Sequence, residues 1–324
     1  MSGSVNEFSL IQKYFEQLTT QRDDVELGIG DDCALLIPLP NHAIAVSIDT
    51  LVEGIHFFAD VAPENLGYKS LAVGLSDLAA MGAQPAWFTL ALTLPEVNDT
   101  WLKKFSQGLA KLANEHNIQL VGGDTTEGPL TISIQVHGFV DQTKTMRRSN
   151  AKLGDMIYVS GTLGDAGAAL QQKLQQLNDD KLNSDDIRYL QQRLEQPTAQ
   201  IALGQQLLGL ATSAIDISDG LLVDLEHILD RSNVGARLNL DNLPLSKALT
   251  KINHKVALAL ALHSGDDYEL CFIVPPQHYA EIEKRFKGQV TRIGMITDDD
   301  GIYYIDDNDK LIELTGIGYE HFAN

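Results

Sequence analysis

The sequence is short of several things, and each shortage excludes a class of function. It has two cysteines in 324 residues, Cys33 and Cys271. That rules out a disulfide framework, and their separation fits no zinc spacing. Both lie in or beside apolar segments and are expected as buried small hydrophobes in a reducing compartment. Positive charge is also scarce: 24 Lys and Arg stand against 44 Asp and Glu, a formal net charge of −20. A nucleic-acid backbone or an anionic membrane needs a positive surface, so neither is an expected partner. No apolar run approaches the length of a membrane span. The N-terminus has no basic region followed by an apolar stretch, and a soluble cytoplasmic protein is expected.

Familiar phosphate-binding signatures are missing too. Gly67-Tyr68-Lys69-Ser70 comes nearest to a P-loop but has Tyr68 where the second glycine belongs. Gly28-Ile29-Gly30 starts like a dinucleotide fingerprint and fails at Cys33. There is no protein-kinase motif set, no Gly-x-Ser-x-Gly elbow and no His-Glu-x-x-His.

What the chain does have is aspartate beside Gly, Ser or Thr at the end of apolar runs, five times over. The motifs are Gly30-Asp31-Asp32, Ser47-Ile48-Asp49-Thr50, Ser76-Asp77, Gly122-Gly123-Asp124-Thr125 and Asp216-Ile217-Ser218-Asp219-Gly220. One such aspartate reads as a turn or a helix cap. Five read as a dispersed carboxylate set for cations. Two carboxylates about 4 Å apart repel by about 4 kcal/mol at an effective dielectric near ~20, so gathering them calls for a compensating charge. Mg²⁺ suits this pattern, because it is held by one or two carboxylates plus substrate phosphates. Asp298-Asp299-Asp300 and Asp306-Asp307-Asn308-Asp309 lack EF-hand spacing and read as solvated turns.

The periodicity predicts helices over 7–18, 63–81, 100–117 and 219–229, and another starting at Pro197. Strands are predicted at 43–48 (ending on Asp49), 87–94, 118–121, 130–140, 156–160, 213–217, 236–240, 269–274, 290–296 and 301–305. Asn98 is a candidate cap and Lys69 a helix-surface or ion-pair residue. Strands alternate with helices but also come in adjacent pairs, which favours a mixed α+β architecture. The polar stretch from Asp141 to Gly154, with Lys144, Arg147, Arg148 and Lys152, marks a boundary between domains at 1–141 and 142–324.

Six segments together carry a resemblance. They are Gly28 to Ala34, Asp49 to Phe57, Leu75 to Ala83, Gly122 to Thr125, Ile215 to Leu221 and Ser264 to Leu270. With the terminal Gly318-Tyr319-Glu320-His321-Phe322, they closely resemble the thiamine-monophosphate kinase family over nearly the whole chain. Several motifs are shared more loosely with aminoimidazole ribonucleotide synthetase and selenophosphate synthetase. The resemblance implies a two-domain aminoimidazole ribonucleotide synthetase-like fold and a homodimer paired through the N-terminal domains. It implies transfer of the γ-phosphoryl group of ATP to thiamine monophosphate, with several Mg²⁺ ions.

Residue by residue, the family's metal positions match Asp32, Ser47, Ile48, Asp49, Asp77, Asp124, Asp216 and Asp219. Nucleotide positions match Gly123, Asp124, Arg148 and Ser218, and substrate positions match His56, Asp266 and Tyr319. Asp49, Asp124 and Arg148 are the expected catalytic group. Two positions depart from the family pattern. Ile48 stands where Thr is often found, so any contact there uses the backbone carbonyl. Asp266 replaces a longer Glu. The competing readings are another ATP-dependent synthetase of the same superfamily and a non-enzymatic cation-stabilised interaction protein. The N-terminal Met1-Ser2-Gly3-Ser4 lacks the nucleophilic Cys that a selenophosphate-type synthetase would want.

Overall fold

The computed structural model describes residues 7–177, 179–305 and 311–312. The chain divides into two compact units, 1–78 with 83–145, and 79–82 with 146–324.

In the first unit, α1 (Glu7–Tyr14) precedes the short pair β1 (Val25–Leu27) and β2 (Leu35–Leu36). Then come β3 (Ala43–Val52), α2 (Pro63–Ala80), β4 (Gln84–Leu94), α3 (Asp99–Glu115), β5 (Gln119–Glu127) and β6 (Thr131–Val140). Four strands form one sheet in the order β3-β6-β4-β5, antiparallel except for the β4–β5 pair. β3 and β5 are therefore its two edges. One face of the sheet is apolar: Ile132, Ile134 and Val136 of β6 and Leu90 and Leu92 of β4 are buried. Helix α2 covers that face, and its small residues let it lie close, with Val136 packed beneath Gly74. Asn98 caps α3, its side chain accepting from Trp101 N at 3.0 Å.

The second unit contains β7 (Met156–Ser160), α4 (Asp165–Lys173), α5 (Ser184–Glu195), α6 (Ile201–Leu207), β8 (Ser213–Asp216), α7 (Leu221–Ser232) and β9 (Gly235–Asn239). It continues with α8 (His254–His263), β10 (Leu270–Val274), α9 (Tyr279–Arg285), β11 (Val290–Thr297), β12 (Ile302–Ile305) and β13 (Leu311–Ile312). Its sheet runs β13-β12-β9-β11-β7-β10-β8. The core joins Ile157 and Val159 of β7, Ile215 of β8, Leu225 of α7 and Ile273 of β10. The mixed α+β architecture is as the alternation predicts.

Several local expectations change. β3 and β5 do not stop at their aspartates: β3 continues through Asp49 to Val52 and β5 through Asp124 to Glu127. Gly and Asp are weak strand formers, yet each segment is held by ladder partners along its length. Pro197 does not open a helix, since α6 begins at Ile201. Helix α1 ends at Tyr14 rather than near Leu18. Helix α8, nearly all apolar, has too little periodicity to be visible in the sequence. Cys271 is buried as expected, but Cys33 is exposed, because it sits in the turn after Asp32 rather than in the core. Lys69 is not on a helix surface: only 4% of it is exposed. Tyr319 and the Asp306 to Asp309 run lie outside the described residues.

Candidate functional site

The first unit offers an acidic group built on β3 and α2. Along β3 the side chains alternate, so Ser47 and Asp49 share the face toward α2, while Ile44, Val46 and Ile48 point the other way and are exposed. Asp77 enters from α2. The Ser47 hydroxyl donates a short hydrogen bond to Asp77 Oδ2. Asp49 Oδ2 lies 3.5 Å from the point where a Cβ on Gly74 would sit. That oxygen is buried and has no hydrogen-bond partner. Burial, and then the neighbouring Asp77 carboxylate, push the Asp49 carboxyl up to about 6. An acceptor-only group left bare in this way is costly unless something positive meets it.

Asp124 is not part of that group. On the hydrogen-bonded ladder Asp49 stands opposite Ile134, Leu90 and Gly123, one rung away from the row of Thr50, Ser133, Ala91 and Asp124. Two strands lie between the residues, so they are three strand spacings apart, roughly 14 Å. One cation cannot touch both within a single chain. Gly123 is needed where it is, because a Cβ there would lie 1.8 Å from the Leu90 carbonyl oxygen. Asp32 is exposed, its backbone N–H donating to Asp31 Oδ1 at 2.8 Å. His56 is exposed on the turn after β3. Its Nδ1 accepts from Val52 N at 3.1 Å, so Nε2 is the ring nitrogen left for a further contact.

The second unit holds the other predicted residues at the ends of β8 and β10. Asp216 closes β8 and is buried, Ser218 is half-buried and Asp219 is exposed. The chain between Ile217 and Gly220 is bonded to the segment that carries Asp266. Asp266 N donates to Ser218 O at 2.9 Å, and Tyr268 N donates to Ile217 O at 2.8 Å. Asp266 and Tyr268 both adopt left-handed backbone, at φ 66° and 51°. The Tyr268 hydroxyl donates to Asp266 Oδ1 at 3.0 Å, which orients the shortened carboxylate. Arg148 is exposed, but its neighbours are anchored to β8: Ala214 N donates to Arg147 O at 3.2 Å, and Ser213 Oγ to Ser149 O at 2.8 Å. Its backbone is therefore held beside β8, while its guanidinium is exposed.

Two groups beneath these loops were not singled out from the sequence. Asp224, in the first turn of α7, accepts from three backbone N–H groups with one oxygen. The donors are Ser218 at 3.0 Å, Asp219 at 3.0 Å and Gly220 at 3.1 Å. Burial pushes its carboxyl up to about 6 against the pull of those donors. Its signal in the sequence was an acid in a first helical turn, the usual place for such a bond. The other group is buried: Asp165, Asp267 and Glu269 surround Arg193. Arg193 donates to Glu269 Oε1 at 2.8 Å, and Asp267 Oδ2 accepts from Gly164 N at 2.6 Å. Burial pushes the Asp267 carboxyl up to about 8.

Among the described residues no three His, Cys, Asp or Glu side chains converge closely enough to hold a metal by themselves. The Ser47, Asp49 and Asp77 donor set does fit Mg²⁺. It is all oxygen, the donor type Mg²⁺ takes, and it includes a buried unpartnered carboxylate oxygen.

Residues 30–140 match the AIR synthase related protein N-terminal domain, and residues 152–307 match the corresponding C-terminal domain. The chain is 49% identical over 325 residues to a thiamine-monophosphate kinase of Escherichia coli strain K12, covering 98% of each. Among solved structures it resembles the thiamine-monophosphate kinase of Stenotrophomonas maltophilia K279a, with a TM-score of 0.85, 44% identity, and 91% and 95% of the two chains covered. It also resembles AaThiL complexed with AMPPCP and TMP, with a TM-score of 0.74, 29% identity and 95% of each chain covered.

Proposed function

The chain belongs to the thiamine-monophosphate kinase family, and on that premise we propose how its own residues divide the work. The activity is ATP-dependent phosphorylation of thiamine monophosphate to thiamine diphosphate. The bond between the β-bridging oxygen and the γ-phosphorus of ATP breaks, and the γ-phosphoryl group passes to a phosphate oxygen of the acceptor. That oxygen is already ionised at neutral pH, so the enzyme needs no general base; it needs positioning and charge neutralisation. The observation that carries the reading is the buried, unpartnered Asp49 Oδ2 beside Asp77, in a chain similar to these kinases over 98% of its length.

Ser47, Asp49 and Asp77, with the Ile48 carbonyl and Asp32, would hold Mg²⁺ in the first unit; Asp216 and Asp219 would do so in the second. Bound Mg²⁺ neutralises phosphate charge, which is how a protein of net charge −20 accommodates two phosphorylated substrates. Gly123 and Ser218 line the nucleotide. Arg148, on its anchored backbone, supplies a fork of donors to the nucleotide phosphates. His56 Nε2 and the Asp266 carboxylate orient thiamine monophosphate, and Tyr319 is assigned to the same substrate.

The protein acts as a homodimer. The exposed stripe of Ile44, Val46 and Ile48 lies on an edge strand, the kind of surface that a second copy covers. A two-fold pairing that sets β3 of each copy beside β5 of the other would bring Asp124 of the partner subunit toward Asp49, supplying what the single sheet keeps at its far edge. Among the described residues no helix is long and apolar enough to cross a membrane, and we place the protein in the cytoplasm. Incubating pure protein with ATP, Mg²⁺ and thiamine monophosphate tests the activity. Thiamine diphosphate should form with matching ADP, and its absence at millimolar Mg²⁺ would overturn the reading.

A further inference from the structure

Three N–H groups on one carboxylate oxygen is an unusual use of a helical aspartate. Asp224 gathers the amides of Ser218, Asp219 and Gly220. Those amides precede α7 and would otherwise face whatever anion approached its N-terminus. Asp224 thus takes the loop's backbone donors inward, and what remains to face a ligand is the Ser218 hydroxyl and the Asp219 carboxylate.

The same loop is fastened to the one beside it. Ser218 O accepts from Asp266 N at 2.9 Å, Ile217 O accepts from Tyr268 N at 2.8 Å, and Ile217 N donates to Glu269 O at 2.8 Å. The two strands of backbone are in such close contact at Gly265 that a Cβ there would lie 2.2 Å from Ser218 O. The residues assigned to nucleotide and metal (Ser218, Asp219) and the residue assigned to the acceptor (Asp266) therefore sit on one hydrogen-bonded unit. Asp224 is at its base.

We propose that Asp224 is a positioning residue that sets both substrate-facing loops of the second unit at once, so that its loss weakens the nucleotide and the acceptor together. The inference rests on the residue roles given under Proposed function. Asp219 and Asp266 each face one ligand, whereas Asp224 faces neither and reaches the acceptor side only through the Ser218–Asp266 bond. Replacing the carboxylate by an amide keeps the shape and, with its oxygen toward the loop, weakens three charge-assisted bonds.

The test is steady-state kinetics on the full chain with Mg²⁺ in excess. Asp224→Asn is expected to raise the apparent KM for ATP and for thiamine monophosphate together, each by on the order of tenfold, with little change in kcat. Asp219→Asn should move ATP alone and Asp266→Asn thiamine monophosphate alone. The double variant Asp224→Asn/Asp266→Asn should be less than additive for thiamine monophosphate. A change in thermal midpoint with both KM values untouched, or a rise in only one of them, overturns the inference. If Asp219→Asn and Asp266→Asn themselves leave both KM values unchanged, the underlying residue assignment fails instead. Should Asp224→Asn not fold, hydrogen exchange on the unaltered protein serves. Thiamine monophosphate without nucleotide should slow exchange across 217–220, and Mg²⁺ with AMPPCP should slow it across 264–268. Protection confined to each ligand's own loop counts against the coupling.

Discussion

Asp49 and Asp124 stand on opposite edges of the same four-stranded sheet, one ladder rung apart, with β6 and β4 between them. Two carboxylates expected to serve one reaction are thus kept beyond the reach of a common ion inside one chain.

The first prediction follows from that separation. Asp49→Asn and Asp124→Asn should each lower kcat at least about 100-fold, with circular dichroism unchanged. Mixing the two variants after reversible dissociation should restore activity to about a quarter of the unaltered enzyme. Half of the dimers would then be mixed, and each mixed dimer would hold one intact site of two. No recovery in the mixture would show that each chain uses only its own aspartates.

A second prediction concerns the exposed stripe. Val46→Lys puts a charge in the middle of Ile44, Val46 and Ile48 without touching the face that carries Ser47 and Asp49. Sedimentation should report a shift toward monomer, and activity should become dependent on protein concentration. A variant that stays dimeric with normal kcat would move the interface elsewhere.

For Arg148 the anchored backbone separates binding from folding. Arg148→Ala should raise the apparent KM for ATP by about tenfold and leave the thermal midpoint within a degree or so, because the exposed guanidinium supports no core packing. Unchanged kinetics would return it to a solvated surface role.

The buried carboxyl of Asp267 gives a pH dependence with a definite sign. Its folded value, about 8, lies above that of an unfolded aspartate. Between about pH 4 and 8 the native state keeps a proton that the unfolded chain has lost. Stability should therefore fall as pH rises, by up to about 1.4 kcal/mol per pH unit from this group. Asp267→Asn should flatten that slope in urea titrations. An equal slope in both proteins would mean that Arg193 keeps Asp267 ionised.

The sequence made the architecture readable where periodicity was strong, as in α3 and β6. It failed where tertiary partners overrule propensity. Gly122-Gly123-Asp124 reads as a turn because glycine and aspartate disfavour strands, yet β4 pairs with it along its length. Lys69 reads as surface because lysine usually is, and only the packed helix buries it. The aspartates were legible as a set because their motifs repeat. Their division among a β3–α2 group, a far sheet edge and a second unit depends on strand order, which no local pattern encodes. Asp224 is not legible for a related reason: an acid in a first helical turn is common, and only the fold brings three amides onto it.

The ten-residue ladder between β3 and β6 also acts as a reading frame. Polar and apolar residues alternate through Ser47, Ile48 and Asp49, so deleting or inserting one residue between Ala43 and Val52 would exchange the two faces. Ile44, Val46 and Ile48 would turn in beneath α2, and the donors would turn out to solvent. Length variation among descendants of this chain should therefore gather in the segments on either side of β3, and substitutions inside it should keep the parity even where they change the residue.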